Sequence, residues 1–358
     1  MPLRTRFDIV TLVSDYDHNR DHAADFAALD DPQLPERFQN YILDKNLIGE
    51  GPISFSYRAT RLDGNRPVRL KVLRKRVCRL AGIGETYQRA KTVQMQYTGD
   101  HLLRMTGAAV HDGILIFEYE YIESISLRSL IESDAPFHPD LAALIAMEII
   151  AGLSQIHGVR PSPGLGNLVP LHRNLKPENV LISPNGEVRL TDIGMLDIAA
   201  FCDAARLELP YDTRVYQAPE QLLRDGYADR RSDVFTLGLL ILEMVTSRLP
   251  YAGGNVFEVR QNIRENRRAS LESLYPVTRD RDRKKLTQQL GQLCEKMTAH
   301  DSEKRIQSLV DVESQLLRYL EGARYADRSR ALTDFLQRRS FHVERISKRG
   351  FIDRLFGG

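Results

Sequence analysis

Asn174 lies in the run His172-Arg173-Asn174-Leu175-Lys176-Pro177-Glu178-Asn179. Its side chain has the shape of an aspartate but carries no negative charge, so it is no useful base near neutral pH. Far upstream, Gly49-Glu50-Gly51-Pro52-Ile53-Ser54 is a glycine-bearing turn whose backbone N–H groups could face a phosphate, and Pro52 removes one of those donors. Arg69 and Lys71 are two residues apart in an alternating segment, which puts both side chains on one face of a strand.

The elements that must hold these residues are legible from the pattern. Tyr41–Gly49, Phe55–Thr60, Pro67–Leu73, Leu102–Val110 and Ile114–Tyr121 read as strands, with hairpin turns at Asp63-Gly64-Asn65 and Asp112-Gly113. Glu85–Tyr97 reads as a helix inserted among them. Beyond Ser126 the chain turns mainly helical, with apolar spacing over Leu141–His157, Ser232–Thr246, Lys284–Met297 and Leu309–Glu321. Val180–Ile182 and Val188–Thr191 flank the turn signal Asn185-Gly186, and Gly158–Val169 is a Gly/Pro-rich loop. Phe7–Val13 suits a strand in an N-terminal arm whose stretch Asp15–Glu36 is rich in aspartate. Residues 322–358 hold nine Arg/Lys against four Asp/Glu, broken by Phe335, Leu336, Phe341, Phe351, Ile352, Leu355 and Phe356. That pattern suits a helical tail packed back on the preceding helical region, or a segment that meets a partner or a membrane surface.

Composition narrows the class. The chain has 358 residues, 42% of them hydrophobic, and a formal net charge of +2, so bulk charge gives no strong nucleic-acid signal. Cys78, Cys202 and Cys294 are scattered and odd in number, which argues against a disulfide framework or a metal-ligand spacing. No signal-peptide pattern opens the chain, and the apolar runs Leu141–Ile150 and Val234–Val245 are shorter than a membrane span. A cytoplasmic protein is the expectation, and the closing Gly-Gly also suits a piece of a longer chain.

The run from His172 to Asn179 resembles the catalytic loop of eukaryotic-type (Hanks-type) serine/threonine protein kinases, with asparagine where that family has aspartate. Thr191-Asp192-Ile193-Gly194, Ala218-Pro219-Glu220, Asp233 within Ser232–Gly238, and Arg305 follow in that family's order, and the resemblance covers about Phe38 to Glu321. It implies an α+β, bilobal protein-kinase-like fold: a small lobe of five strands and one helix (38–123) and a larger, mainly helical lobe (124–321), between an extension (1–37) and a basic tail (322–358). It also implies roles. Lys71 matches the lysine that contacts nucleotide phosphates, Lys176 the catalytic-loop lysine, and Asn179 and Asp192 the two magnesium ligands. Gly49, Gly51 and Ser54 match the phosphate loop, while Glu120, Ile122 and Leu181 match positions that line the nucleotide. Glu220 and Arg305 match a buried ion pair, Asp233 the carboxylate that braces the catalytic loop, and His172 and Arg173 its structural lead-in.

The departures gather around the nucleotide. Asn174 removes the base, the third loop glycine is Ser54, and the valine expected over adenine is Ser56. Arg69 replaces a small alanine and should project into the adenine site. The helix glutamate that should pair with Lys71 falls near Gln88–Ala90, where no acid stands, and Glu85 is about a turn too early. Between Gly194 and Tyr211 there is no Ser, Thr or Tyr, so residues 192–220 are expected to be a fixed loop without phosphorylation switching. The first expectation is therefore a pseudokinase that binds proteins through its arm, its surface or its tail, with no cofactor, or with ATP and magnesium held weakly or unproductively. The second is an active kinase in which Asn174 is an introduced replacement for aspartate. The third is other transfer chemistry on the same fold, such as moving a nucleotide monophosphate (AMPylation).

Overall fold

The computed structural model of the chain describes residues 34–134, 136–160, 169–205, 207, 214–223, 227–253, 256–275, 279–321 and 332–336. The possible strand Phe7–Val13, most of the acidic arm, most of the Gly158–Val169 loop, Tyr211, Thr213 and most of the tail lie outside them.

The small lobe is a single antiparallel sheet. Its strands are β1 (Arg37–Phe38), β2 (Tyr41–Glu50), β3 (Ser54–Arg61), β4 (Arg66–Leu73), β5 (Met105–His111) and β6 (Ile114–Glu120), in the order β1-β2-β3-β4-β6-β5. A two-residue strand thus precedes the five expected ones, and β5 starts three residues later than the pattern suggested. Leu102 and Leu103 are drawn instead to the large lobe: Leu103 N–H donates to Leu190 O at 2.8 Å, and Leu190 N–H to His101 O at 2.8 Å. Alternation divides the sheet. Val68, Leu70 and Val72 join Phe55, Tyr57 and Ile116 in one apolar layer, while Arg69, Lys71 and Leu73 face the other way. Helix α1 (Lys75–Cys78) and helix α2 (Ile83–Gln94) pack on that second face through Val77, Ile83, Tyr87 and Ala90. Tyr87 is anchored by its hydroxyl, which donates to Ile116 O at 2.6 Å.

The large lobe is built on two helices buried on nearly every side, α4 (Pro139–His157) and α6 (Arg230–Thr246). Short strands β7 (Ile125–Ser126), β8 (Val180–Ile182) and β9 (Val188–Leu190) and helix α3 (Leu127–Asp134) sit on the cleft side. Helix α5 (Leu196–Ala204) follows the Asp192 turn, and α7 (Val256–Arg264), α8 (Leu271–Leu274), α9 (Arg281–Met297) and α10 (Leu309–Glu321) complete the lobe. Helix α4 is long and apolar enough to cross a membrane, but here it is the centre of the lobe's core. Helix α6 is capped by Asp229, which accepts from Arg231 N–H at 2.8 Å. Gly238 lets α9 cross α6 closely, since a Cβ there would come within 2.9 Å of Met297 Cβ. The described part of the tail, 332–336, is helical and docks on this lobe, with Leu332 and Leu336 buried and Phe335 edge-on to Phe137.

Candidate functional site

The cleft between the lobes gathers Lys71, Arg69, Lys176, Asn179 and Asp192. Register sets the upper wall: Ser56 faces Gly49 on β2 and Lys71 on β4, while Arg69 faces Tyr119 on β6. Arg69 sends its guanidinium diagonally, Nη2 donating to Ser56 Oγ at 3.3 Å. A Cβ added to Gly49 would meet the same Nη2 at 3.6 Å. Arg69 thus lies under the phosphate-loop strand. Burial pulls its guanidinium below the usual arginine range, with Asp192, Tyr119 and Tyr121 opposing that effect.

Lys71 forms a buried ion pair with Asp192. The expected helix glutamate has no counterpart: α2 turns Tyr87 and Ala90 inward, and Glu85 is exposed. One turn further on, buried Gln94 accepts a hydrogen bond from the Tyr119 hydroxyl and donates to Met195 Sδ at 3.5 Å. Burial would raise the Asp192 carboxyl, but Lys71, Arg69 and Lys176 together hold it below the usual carboxylate range. Burial also pulls the Lys71 ammonium down, against the attraction of Asp192.

The phosphate loop is fastened rather than open. Gly51 N–H donates to Ser54 O at 2.8 Å, Arg74 Nε to Gly51 O at 3.0 Å, and Arg74 Nη2 pairs with Glu50 at 2.6 Å. The Arg74 guanidinium also stacks 4.1 Å from the Phe55 ring centre. At the loop tip Ile53 is only 8% exposed and packs with Leu73, Val77, Met195, Ile198 and Cys202. Ser54 is buried beside it.

The lower wall is the catalytic loop. Asp233 Oδ1 and Oδ2 accept from the backbone N–H groups of Arg173 (3.2 Å) and His172 (3.0 Å), and Oδ2 lies 2.8 Å from His157 Nε2. His172 is fully buried and both ring nitrogens lack a hydrogen-bond partner among the described residues. Burial accordingly lowers its pKa, with Asp233 opposing. Arg173 takes a positive φ of 62°, which bends the loop towards Asn174. Asn179 Nδ2 donates to Asn174 O at 2.7 Å. Glu220 and Arg305 form the expected pair at 2.8 Å, below the cleft.

The remaining positions divide. Leu181 is buried and Ile122 half-buried in the apolar cluster beneath the cleft. Glu120 pairs with Arg189 of β9 at 2.9 Å, linking the two lobes. The expected fixed loop over 192–220 is corrected, because helix α5 forms there. Its apolar residues Ile198, Phe201 and Cys202 pack against α2, which rewards a helix that no cap or turn signal announces.

Magnesium asks for several hard oxygens in near-octahedral order. Asn179 and Asp192 would be its ligands, and here Asp192 is paired with Lys71. Arg69 lies under the loop strand and Ile53 is buried, so these two side chains fill part of the upper wall.

A family model described as the protein kinase domain matches residues 42–316. The serine/threonine-protein kinase PknL of Mycobacterium tuberculosis is 32% identical over 215 residues, 59% of this chain and 51% of that protein. PknB of Mycolicibacterium smegmatis is 28% identical over 295 residues, 80% of this chain and 44% of that protein. PrkC of Bacillus subtilis is 25% identical over 213 residues, 60% of this chain and 31% of that protein. The matches span about half or less of these relatives' length.

Proposed function

This chain belongs to the protein kinase domain family, and from that premise we propose that it is a pseudokinase, a member that keeps the two-lobed fold but does not transfer phosphate. The position of Arg69 carries the reading. Its guanidinium takes the space between Gly49 and Ser56 where the family's fold receives the nucleotide, in a chain whose position 174 offers an amide in place of a base. The fastened loop and the Lys71–Asp192 pair support the same reading, because each would have to be undone before phosphates and magnesium could enter. In this reading the protein acts in the cytoplasm by binding protein partners.

The retained Lys71, Lys176, Asn179 and Asp192 favour the competing reading, an active kinase whose natural residue 174 is aspartate. The two part in one set of assays on the full chain. Titration with ATP, with and without magnesium, should give no measurable heat, and label from the γ-phosphate of ATP should not reach protein in wild type or in Asn174→Asp. Arg69→Ala should bind ATP more tightly than wild type. Brisk transfer by Asn174→Asp alone would make the small lobe competent and end the pseudokinase reading. Label arriving only from the α-phosphate would point to nucleotidyl transfer.

A further inference from the structure

Charge is laid unevenly along the small lobe. From Arg74 to Lys91, the stretch that forms α1 and α2, six Arg/Lys stand against the one acid Glu85. Arg74 is spent inward on the phosphate loop. The other five lie towards the outside: Arg79 and Arg89 are exposed, and Lys75, Arg76 and Lys91 half-buried, while Val77, Ile83, Tyr87 and Ala90 take the inward positions. Like charges gathered on one face repel one another, and an anionic chain laid over them relieves that cost.

The sequence carries such a chain. Residues 15–31 hold six aspartates against one arginine, the reverse of the balance over 74–91. The way this stretch joins the body brings it to the right helix. It ends three residues before Leu34, and Leu34 packs on the same apolar cluster as Cys78, the last residue of α1. Two ties fix that entry. Gln39 Nε2 donates to Val110 O at 2.6 Å, and the Phe38 ring centre lies 5.1 Å from that of His111, which seats the incoming chain on the β5–β6 turn. Just beyond that turn Leu115 N–H donates to Cys78 Sγ at 3.4 Å. Residues 15–31 extend to about 55 Å, against about 18 Å for the length of α2, so reach does not limit the contact.

We propose that the aspartate-rich arm, residues 15–31, docks on the basic outer face of α1 and α2 of its own chain. The tether at Leu34 keeps the two charge runs at high effective concentration, which favours contact within one chain over contact between chains. An acidic partner then meets this face already covered. The inference does not depend on whether the protein transfers phosphate.

The test uses the full chain at micromolar concentration. A water-soluble carbodiimide, which joins carboxylates to amines in direct contact, should link peptides from 15–31 to Lys75 or Lys91, and molar sodium chloride should abolish the links. In a mixture of unlabelled and nitrogen-15-labelled chains, each link should stay within one isotope. A fluorescent peptide of residues 15–31 should bind the variant carrying Asp15→Asn, Asp17→Asn, Asp21→Asn, Asp25→Asn, Asp30→Asn and Asp31→Asn about tenfold more tightly than wild type, because that variant leaves the face uncovered. Adding Lys75→Glu and Arg79→Glu should remove the gain. If that reversal impairs folding, Lys75→Gln with Arg79→Gln takes its place. Absence of links from 15–31 to either lysine overturns the proposal. Links that join light to heavy chains overturn it too, by placing the arm on a second copy. So does equal peptide affinity of wild type and the asparagine variant, or a gain that survives the altered face.

Discussion

Lys71 on β4 and Asp192 at the turn before α5 close on each other across the cleft, each nearly sealed from water, with Arg69 two residues from Lys71 along the same strand face. The pair answers a vacancy on α2, where Ala90 and Tyr87 point inward and no acid is available to Lys71. Asp192 therefore serves as the counter-charge to the cleft's cations.

That role makes Asp192 a stability residue. Asp192→Ala leaves Lys71, Arg69 and Lys176 facing one another, and stability should fall by about 3–5 kcal/mol, the cost of stranding a buried charge. Urea unfolding reads the change directly. An unchanged or raised midpoint would mean that the carboxylate is dispensable to the fold and held for a ligand.

Helix α5 is held by its contact with α2. Ile198 is fully buried there, and Ile198→Ala should cost about 2–5 kcal/mol through lost burial and the cavity left behind. The same substitution should speed amide hydrogen exchange in both α2 and α5, since one packing layer serves both. Faster exchange confined to α5 would show that α2 stands without it.

Acid should weaken the fold through His172. Burial depresses the folded-state pKa of this imidazole below the ordinary value of 6.5. A depressed value means that the unfolded chain takes up the proton first. The stabilising contribution is thus complete above pH 6.5 and is lost as pH falls below it towards the folded value. His172→Phe, which fills the site with no titrating group, should flatten the fall in melting temperature below pH 6.5. Parallel curves for the two proteins would place the sensitivity elsewhere.

Much of the fold could be read from the chain because its signals are local. The hairpins at Gly64, Gly113 and Gly186 take positive φ, as their turn residues require, and the long helices α4 and α6 follow their apolar runs. The catalytic-loop brace at Asp233 and the Glu220–Arg305 pair lie where the motifs put them. The missed features depend on meetings across long stretches of sequence. Helix α5 has no cap signal in its sequence and packs on α2, about a hundred residues earlier. Nothing near Arg74 announces that it would pin the phosphate loop through Glu50 and Gly51. The vacancy on α2 is visible in the sequence as a missing acid, but Asp192 and Gln94, which stand in its place, come from about a hundred residues downstream and from the next turn of the helix.

The grip of Arg189 on Glu120 bears on how the molecule would be felt by whatever it binds. Glu120 ends the last strand of one half and Arg189 belongs to a strand of the other, so rocking between the halves must first break a charge-assisted bond. The Leu103–Leu190 backbone bond lies along the same seam, so an opening hinge would have to strain two kinds of tie at once, one ionic and one of the main chain.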